Sequence, residues 1–189
     1  MKRARRRWRG LFDDVRVDQL VFVDEFGAAT NMTRSRARSL GGKRAVCHAP
    51  QGHWKVLSTI AAMTTRGMVC CGTFDGATDA DTFIGFVREL VKVIEPGQVV
   101  VMDNLSAHRS GMIDELIESA GGYVLRLPPY SPDLNPIEMA ISKVKSLLRK
   151  AERRTVETLQ PMIGTALASI TPKDALGYIT HCGYADRDK

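Results

Sequence analysis

VVVMDNLSAHR (residues 99–109) and LRLPPYSPDLNPIEMAISKVKSLLR (residues 125–149) carry most of what this chain discloses about itself. The first segment predicts a strand over Gln98–Met102, apolar without alternation, as a strand covered on both faces must be. It ends on an acid, Asp103. The second opens with a loop, Pro128–Asn135, that holds three prolines, each of which fixes its φ and stiffens the connection. A helix is then predicted over Pro136–Lys150, with Asn135 suited to the N-cap and Pro136 to the first helical position. At ~100° per residue, Ile137, Ile141, Val144 and Leu148 fall on one apolar stripe, and Glu138, Ser142, Lys145 and Arg149 on the stripe beside it.

Working outward, Leu20–Asp24 is a second apolar run that ends on an acid. Trp54–Met63 and Met68–Thr73 read as a hairpin turned at Thr64–Gly67. Asp79–Ile94 reads as a helix ended by Pro96–Gly97, His108–Ala120 as another, Tyr123–Leu127 as a strand and Thr155–Ile170 as a last long helix. The tail from Thr171 reads as short helix-turn material. Strands first, then strand–helix alternation, predict an α/β protein: a mixed sheet with helices packed on it. Residues 27–53 form a long loop carrying Arg34, Arg36, Arg38, Lys43, Arg44 and His48, and long loops in compact domains tend to be functional. The organisation is a basic N-terminal arm or short helix over residues 1–19 and one domain over residues 20–189.

The 189 residues carry a net charge of +6 and a pI of about 9.3, which points to a polyanionic partner. Residues 1–44 hold 12 Lys/Arg against 5 Asp/Glu, and the remainder 15 against 16, so the positive excess is N-terminal. A solubilising arm would show the same bias. The four cysteines, Cys47, Cys70, Cys71 and Cys182, match no zinc spacing and read as reduced and buried. No segment approaches the ~18 apolar residues of a membrane span, and the basic start is not followed by an apolar signal region. An intracellular protein is expected.

Asp24, Asp103 and Glu138 are the candidate chemistry. Each has a plain structural alternative. Asp103–Asn104 can begin a turn, and Glu138 sits three residues past Asn135, where it can close a capping box. Three carboxylates brought together repel. A hard cation such as Mg²⁺ relieves that repulsion while keeping waters or phosphates in its shell, and two such ions about 4 Å apart suit phosphodiester chemistry. Lys145 and Arg149, with Ser142, extend from Glu138 as candidates for a phosphate backbone. Asn104 and His108 lie close after Asp103 and are candidates for touching DNA there, His108 equally for a cap or a surface position. Glu25 should point away from Asp24.

With these residues in view, LVFVDEFGAATNMTR, GHWKVLSTIAAM, VVVMDNLSAHR, LPPYSPDLNPIEMAISKVKSLLR and HCGYA resemble the DDE transposases of the mariner-like superfamily. The resemblance is to the catalytic part of an insertion-sequence transposase of the IS-six-thirty family, and it runs from about Leu20 to Ala185. Asp103 and Glu138 are separated by 34 residues, as in such enzymes. The resemblance implies an RNase H-like fold, a five-stranded mixed sheet with helices on both faces. It implies Asp24, Asp103 and Glu138 as the catalytic triad, binding two Mg²⁺ ions for which Mn²⁺ substitutes. It also implies cleavage of DNA at element ends and strand transfer into target DNA, by a homodimer, in the bacterial cytoplasm at the nucleoid. Family members carry helix-turn-helix domains before the first catalytic strand, whereas about 19 residues precede Leu20 here. A frameshifted second reading frame or a truncated copy is therefore expected, fused to or paired with a helix-turn-helix product and binding DNA without preference for element ends. The competing expectations are a non-catalytic DNA-binding or regulatory fragment and a plain RNase H-like nuclease acting on RNA–DNA hybrids or junctions.

Overall fold

The computed structural model describes residues 2–12, 15–46, 48–104 and 110–184. Its sheet has five strands in the order β3-β2-β1-β4-β5, where β1 is Leu20–Ala29, β2 Val56–Thr64, β3 Gly67–Asp75, β4 Val99–Met102 and β5 Tyr123–Arg126. The pairs β1–β2 and β2–β3 are antiparallel, and β1–β4 and β4–β5 are parallel. The helices are α1 (Lys2–Gly10), α2 (Ala80–Leu90), α3 (Gly111–Ser119), α4 (Pro136–Ala151), α5 (Val156–Ala168) and α6 (Pro172–His181).

Alternation along the central strands divides the core in two. Leu20, Phe22, Phe26 and Ala28 of β1, with Val99 and Val101 of β4, pack with the buried faces of α4, α5 and α6. Val21 and Val23, with Val100 and Met102, pack with α2 and α3. Successive side chains of a strand point to opposite faces, so a strand with helices on both sides must be apolar at every position, as β4 is. The expected mixed sheet with helices on both faces is therefore present.

The largest departure from expectation is in β1. The apolar run Leu20–Asp24 predicts a strand that ends on the acid, but β1 runs to Ala29 because β2 pairs with it along Phe22–Ala29. The parallel partner β4 pairs only with Leu20–Phe22. Asp24 thus lies inside a strand, at the point where one of its two neighbours has ended. Smaller departures are α2, which closes at Leu90 rather than Ile94, and the tail, which forms a full helix, α6. That helix is closed at its start by a capping box in which Thr171 and Asp174 bond reciprocally.

The basic stretch at the N-terminus holds α1, and Trp8 on it is 5% exposed. Trp8 Nε1 donates to Tyr184 Oη at 3.0 Å, and Tyr184 Oη donates to the Leu134 carbonyl at 2.7 Å. Arg5 pairs through both guanidinium nitrogens with Asp133. Helix α1 is therefore docked on the proline loop, directly through Arg5 and by way of Tyr184. Of the cysteines, Cys182 is buried, Cys70 half-buried and Cys71 exposed. The expectation of burial fails at Cys71 because β3 is an edge strand with that position facing solvent; Cys47 lies outside the described residues. No described helix is long and apolar enough to cross a membrane.

Candidate active site

The sheet sets the first two carboxylates. On β1 the even-numbered residues Leu20, Phe22 and Phe26 face α4, and Asp24 shares their parity. On β4 Val99 and Val101 face the same way, and Asp103 continues that alternation one residue past the strand. The register Phe22 to Val101 brings Asp24 level with Asp103 two residues on. Both acids thus reach the face on which α4 lies, at the carboxyl end of the parallel pair, where ligands of α/β sheets bind.

The proline loop brings the third. Pro128, Pro129, Tyr130, Ser131 and Pro132 border a cavity of about 390 Å³ that Asp24, Asp103, Asn104, Asn135 and Glu138 also line. Tyr130 holds φ at 56°, left-handed backbone that a bulky residue adopts only under constraint, and the residue is 88% exposed. Glu138 sits in the first turn of α4, exposed, and its carboxylate makes no hydrogen bond or ion pair among the described residues. The capping box is not formed, because α4 has no side-chain cap.

Asn135 explains why. Its Nδ2 donates to Asp24 Oδ2 at 2.9 Å, while Asp24 Oδ1 accepts from the Glu25 backbone N–H at 2.7 Å. Asn135 is 2% exposed, and its Oδ1 is buried without a hydrogen-bond partner among the described residues. The side chain that the sequence assigns to capping instead orients Asp24 across the interface between β1 and α4. No local signal distinguishes the two roles, since a short amide before Pro136 suits either.

The remaining candidates divide. Asn104 lines the cavity with the acids. His108 lies outside the described residues. Ser142, Lys145 and Arg149 follow Glu138 along α4 on the side not buried by Ile137, Ile141, Val144 and Leu148, and Lys145 Nζ lies 5.9 Å from the Phe26 ring centroid. Among the described residues, no three Asp, Glu, His or Cys side chains are gathered within reach of one ion as they stand. The donor set is nevertheless one that a hard cation takes: carboxylates from rigid strands, an exposed carboxylate with no bond to break, and a buried carboxamide oxygen without a partner on the wall beside them.

Residues 19–160 match the model of the DDE superfamily endonuclease family, more than half of the chain. The chain belongs to the DDE endonuclease superfamily. This DDE chain is similar to solved structures of the Mos1 transposase. With the Mos1 paired-end complex carrying the left transposon end, identity is 16% and the TM-score 0.76, over 96% of this chain and 57% of that one. With the catalytic domain of the Mos1 mariner transposase, identity is 14% and the TM-score 0.68, over 96% and 89%. A third similar structure is the Mos1 catalytic domain with raltegravir and Mg, at 14% identity and TM-score 0.66, over 96% and 90%. The DDE chain therefore spans little more than half of the full transposase and nearly all of its catalytic domain. The shared fold is the RNase H-like one. No curated protein matches this sequence.

Proposed function

We propose that this chain is the catalytic domain of a transposase, cutting DNA at element ends and joining the freed 3′ ends to target DNA. The observation that carries this reading is the convergence of Asp24, Asp103 and Glu138 on one cavity from two adjacent strands and a helix. Asp24, Asp103 and Glu138 would hold two Mg²⁺ ions, or Mn²⁺ in their place. When bound, such a pair activates the attacking oxygen of an in-line displacement and stabilises the leaving one. Asp24 is oriented for this by Asn135. Asp103 follows a strand buried on both faces. Glu138 extends, exposed and unbonded, from the open end of α4. Asn104 faces the same cavity, and the proline loop walls it on the remaining side. The partners in this reading are element-end and target duplexes, a second copy of the chain and a helix-turn-helix module, acting at the bacterial nucleoid. The IS-six-thirty placement belongs to the same proposal.

The three side chains are not yet gathered around one point, and that observation favours the second reading, a DNA-binding product without activity. Nicking of supercoiled DNA with Mn²⁺ separates the two. Metal-dependent nicking by the wild type, lost in Asp103→Asn and Glu138→Gln, is the expected result. Equal nicking by all three proteins would remove these residues from the chemistry. No nicking by the wild type would leave the inert reading standing.

A further inference from the structure

We propose that the β1–β2 loop and the C-terminal half of α4 form a phosphate-binding track separate from the carboxylate cavity, which grips the backbone of duplex DNA. Arg34, Ser35 and Arg36 of the loop form one wall of an open groove of about 280 Å³, and Ser146, Arg149 and Lys150 of α4 form the other. All six side chains carry hydrogen-bond donors, and no acid lines the groove.

What sets this groove apart is that four cations without an ion pair line it together. Arg126 is matched with Asp114 and Lys143 with Asp174, whereas Arg34, Arg36, Arg149 and Lys150 have no ion pair among the described residues. Four like charges facing one another across a groove repel unless an anion lies between them. The nearby acid is already occupied: Glu152, which ends α4 at φ 48°, pairs with Arg154 at 3.1 Å.

The groove is also built rather than incidental. Arg154 Nη1 donates to the carbonyls of Met32 at 2.7 Å and Thr30 at 3.3 Å. One guanidinium thus ties the root of the loop to the end of α4, and Arg34, two residues beyond Met32, lines the groove that Arg149 also lines. Bidentate donors on two walls suit phosphodiester oxygens.

Position gives the track its use. Arg149 lies 11 residues after Glu138 on the same helix, which at 1.5 Å per residue is ~16 Å. Duplex DNA rises 3.4 Å per base pair, so the track meets the backbone about five base pairs from the carboxylate site. Lys145 stands between the two, which makes a continuous row. This distance argument rests on the transposase reading; the track itself rests on the groove.

The test is fluorescence anisotropy of a labelled duplex of about 30 base pairs against the full chain in metal-free buffer, over a range of salt. Arg34→Ala/Arg36→Ala and Arg149→Ala/Lys150→Ala are each expected to weaken binding about tenfold and to lower the salt slope by about 2, since each phosphate contact contributes about one. Arg88→Ala, on the opposite helix layer, is the control and should change neither. Affinity and slope unchanged in both double variants would overturn the track, provided circular dichroism shows both folded. Failure of the wild type to nick DNA, with binding still weakened in the variants, would strike the transposase reading and leave the track in place. A wild type that binds no duplex would overturn both.

Discussion

Asn135 shows how much turns on the direction of a single side chain. As an N-cap it would accept a hydrogen bond from its own helix; in the fold its amide instead donates to Asp24. The two roles answer differently to substitution. Aspartate is as good an N-cap as asparagine, but an ionised aspartate has no donor for Asp24. If Asn135 capped α4, Asn135→Asp would be close to neutral and Asn135→Ala would cost about 0.5–2 kcal/mol. With the observed bond, Asn135→Asp should destabilise at least as much as Asn135→Ala, because it sets a second carboxylate against Asp24. For Asn135→Ala the cost should be about 1.5–3 kcal/mol, the range for a hydrogen bond to a charged group. Urea unfolding in metal-free buffer measures both, and a neutral Asn135→Asp would return the residue to a capping role. Glu138→Gln, by contrast, should stay within about 0.5 kcal/mol of the wild type in the same experiment, since the Glu138 carboxylate is exposed and unbonded.

Helix α4 is the element on which the site depends, and its neighbours hold it in place. Lys143 Nζ reaches Asp174 Oδ2 at 2.8 Å, and the same carboxylate accepts from the Thr171 backbone N–H at 3.0 Å, so α4 and the start of α6 share one acid. Lys143, followed by the Thr171 bonds, holds the Asp174 carboxyl well below the usual carboxylate range. A carboxyl whose folded pKa lies below its unfolded value stabilises the fold above the unfolded value, near 4, and loses that contribution as pH falls toward the folded one. Melting temperature against pH should therefore show wild type above Asp174→Asn at neutral pH, the gap narrowing steadily below about pH 4. A gap independent of pH would mean that the Asp174 charge does not stabilise the fold. The pair is partly exposed, so the gap should be modest and should shrink in high salt.

Across the whole molecule, two half-cores back a sheet whose parallel edge opens onto the carboxylates, and four cations without an ion pair among the described residues line one groove at the far end of α4. Metal binding should therefore register as global stability. A ligand that binds only the folded state at 100 times its dissociation constant adds about 2.7 kcal/mol, several degrees for a domain of this size. Mn²⁺ should raise the melting temperature of the wild type, and less or not at all that of Asp24→Asn or Asp103→Asn, whatever the activity. An equal rise in all three would place the metal elsewhere on the surface.

Much of this architecture was legible along the chain. A strand such as β4 must be apolar at every position because both its faces are covered, and that pattern survives in one dimension. The stripes of α4 are legible for the same reason: 3.6 residues per turn turns a buried face into a spacing. The acids Asp24, Asp103 and Glu138 were legible only as a set: each alone reads equally as a turn or capping residue, and it is three of them at the ends of rigid elements that point to a cation. What lay beyond the sequence was pairing between distant segments. The extension of β1 past Asp24 depends on β2, more than 25 residues away, supplying its hydrogen bonds. The turn of Asn135 toward Asp24 spans 111 positions. The alignment of Arg34 and Arg36 with Arg149 needs Arg154 to reach back 122 residues to Met32. Periodicity is local and can be read residue by residue, whereas a bond between remote groups exists only once the chain has folded and brought them within 3 Å or so of each other.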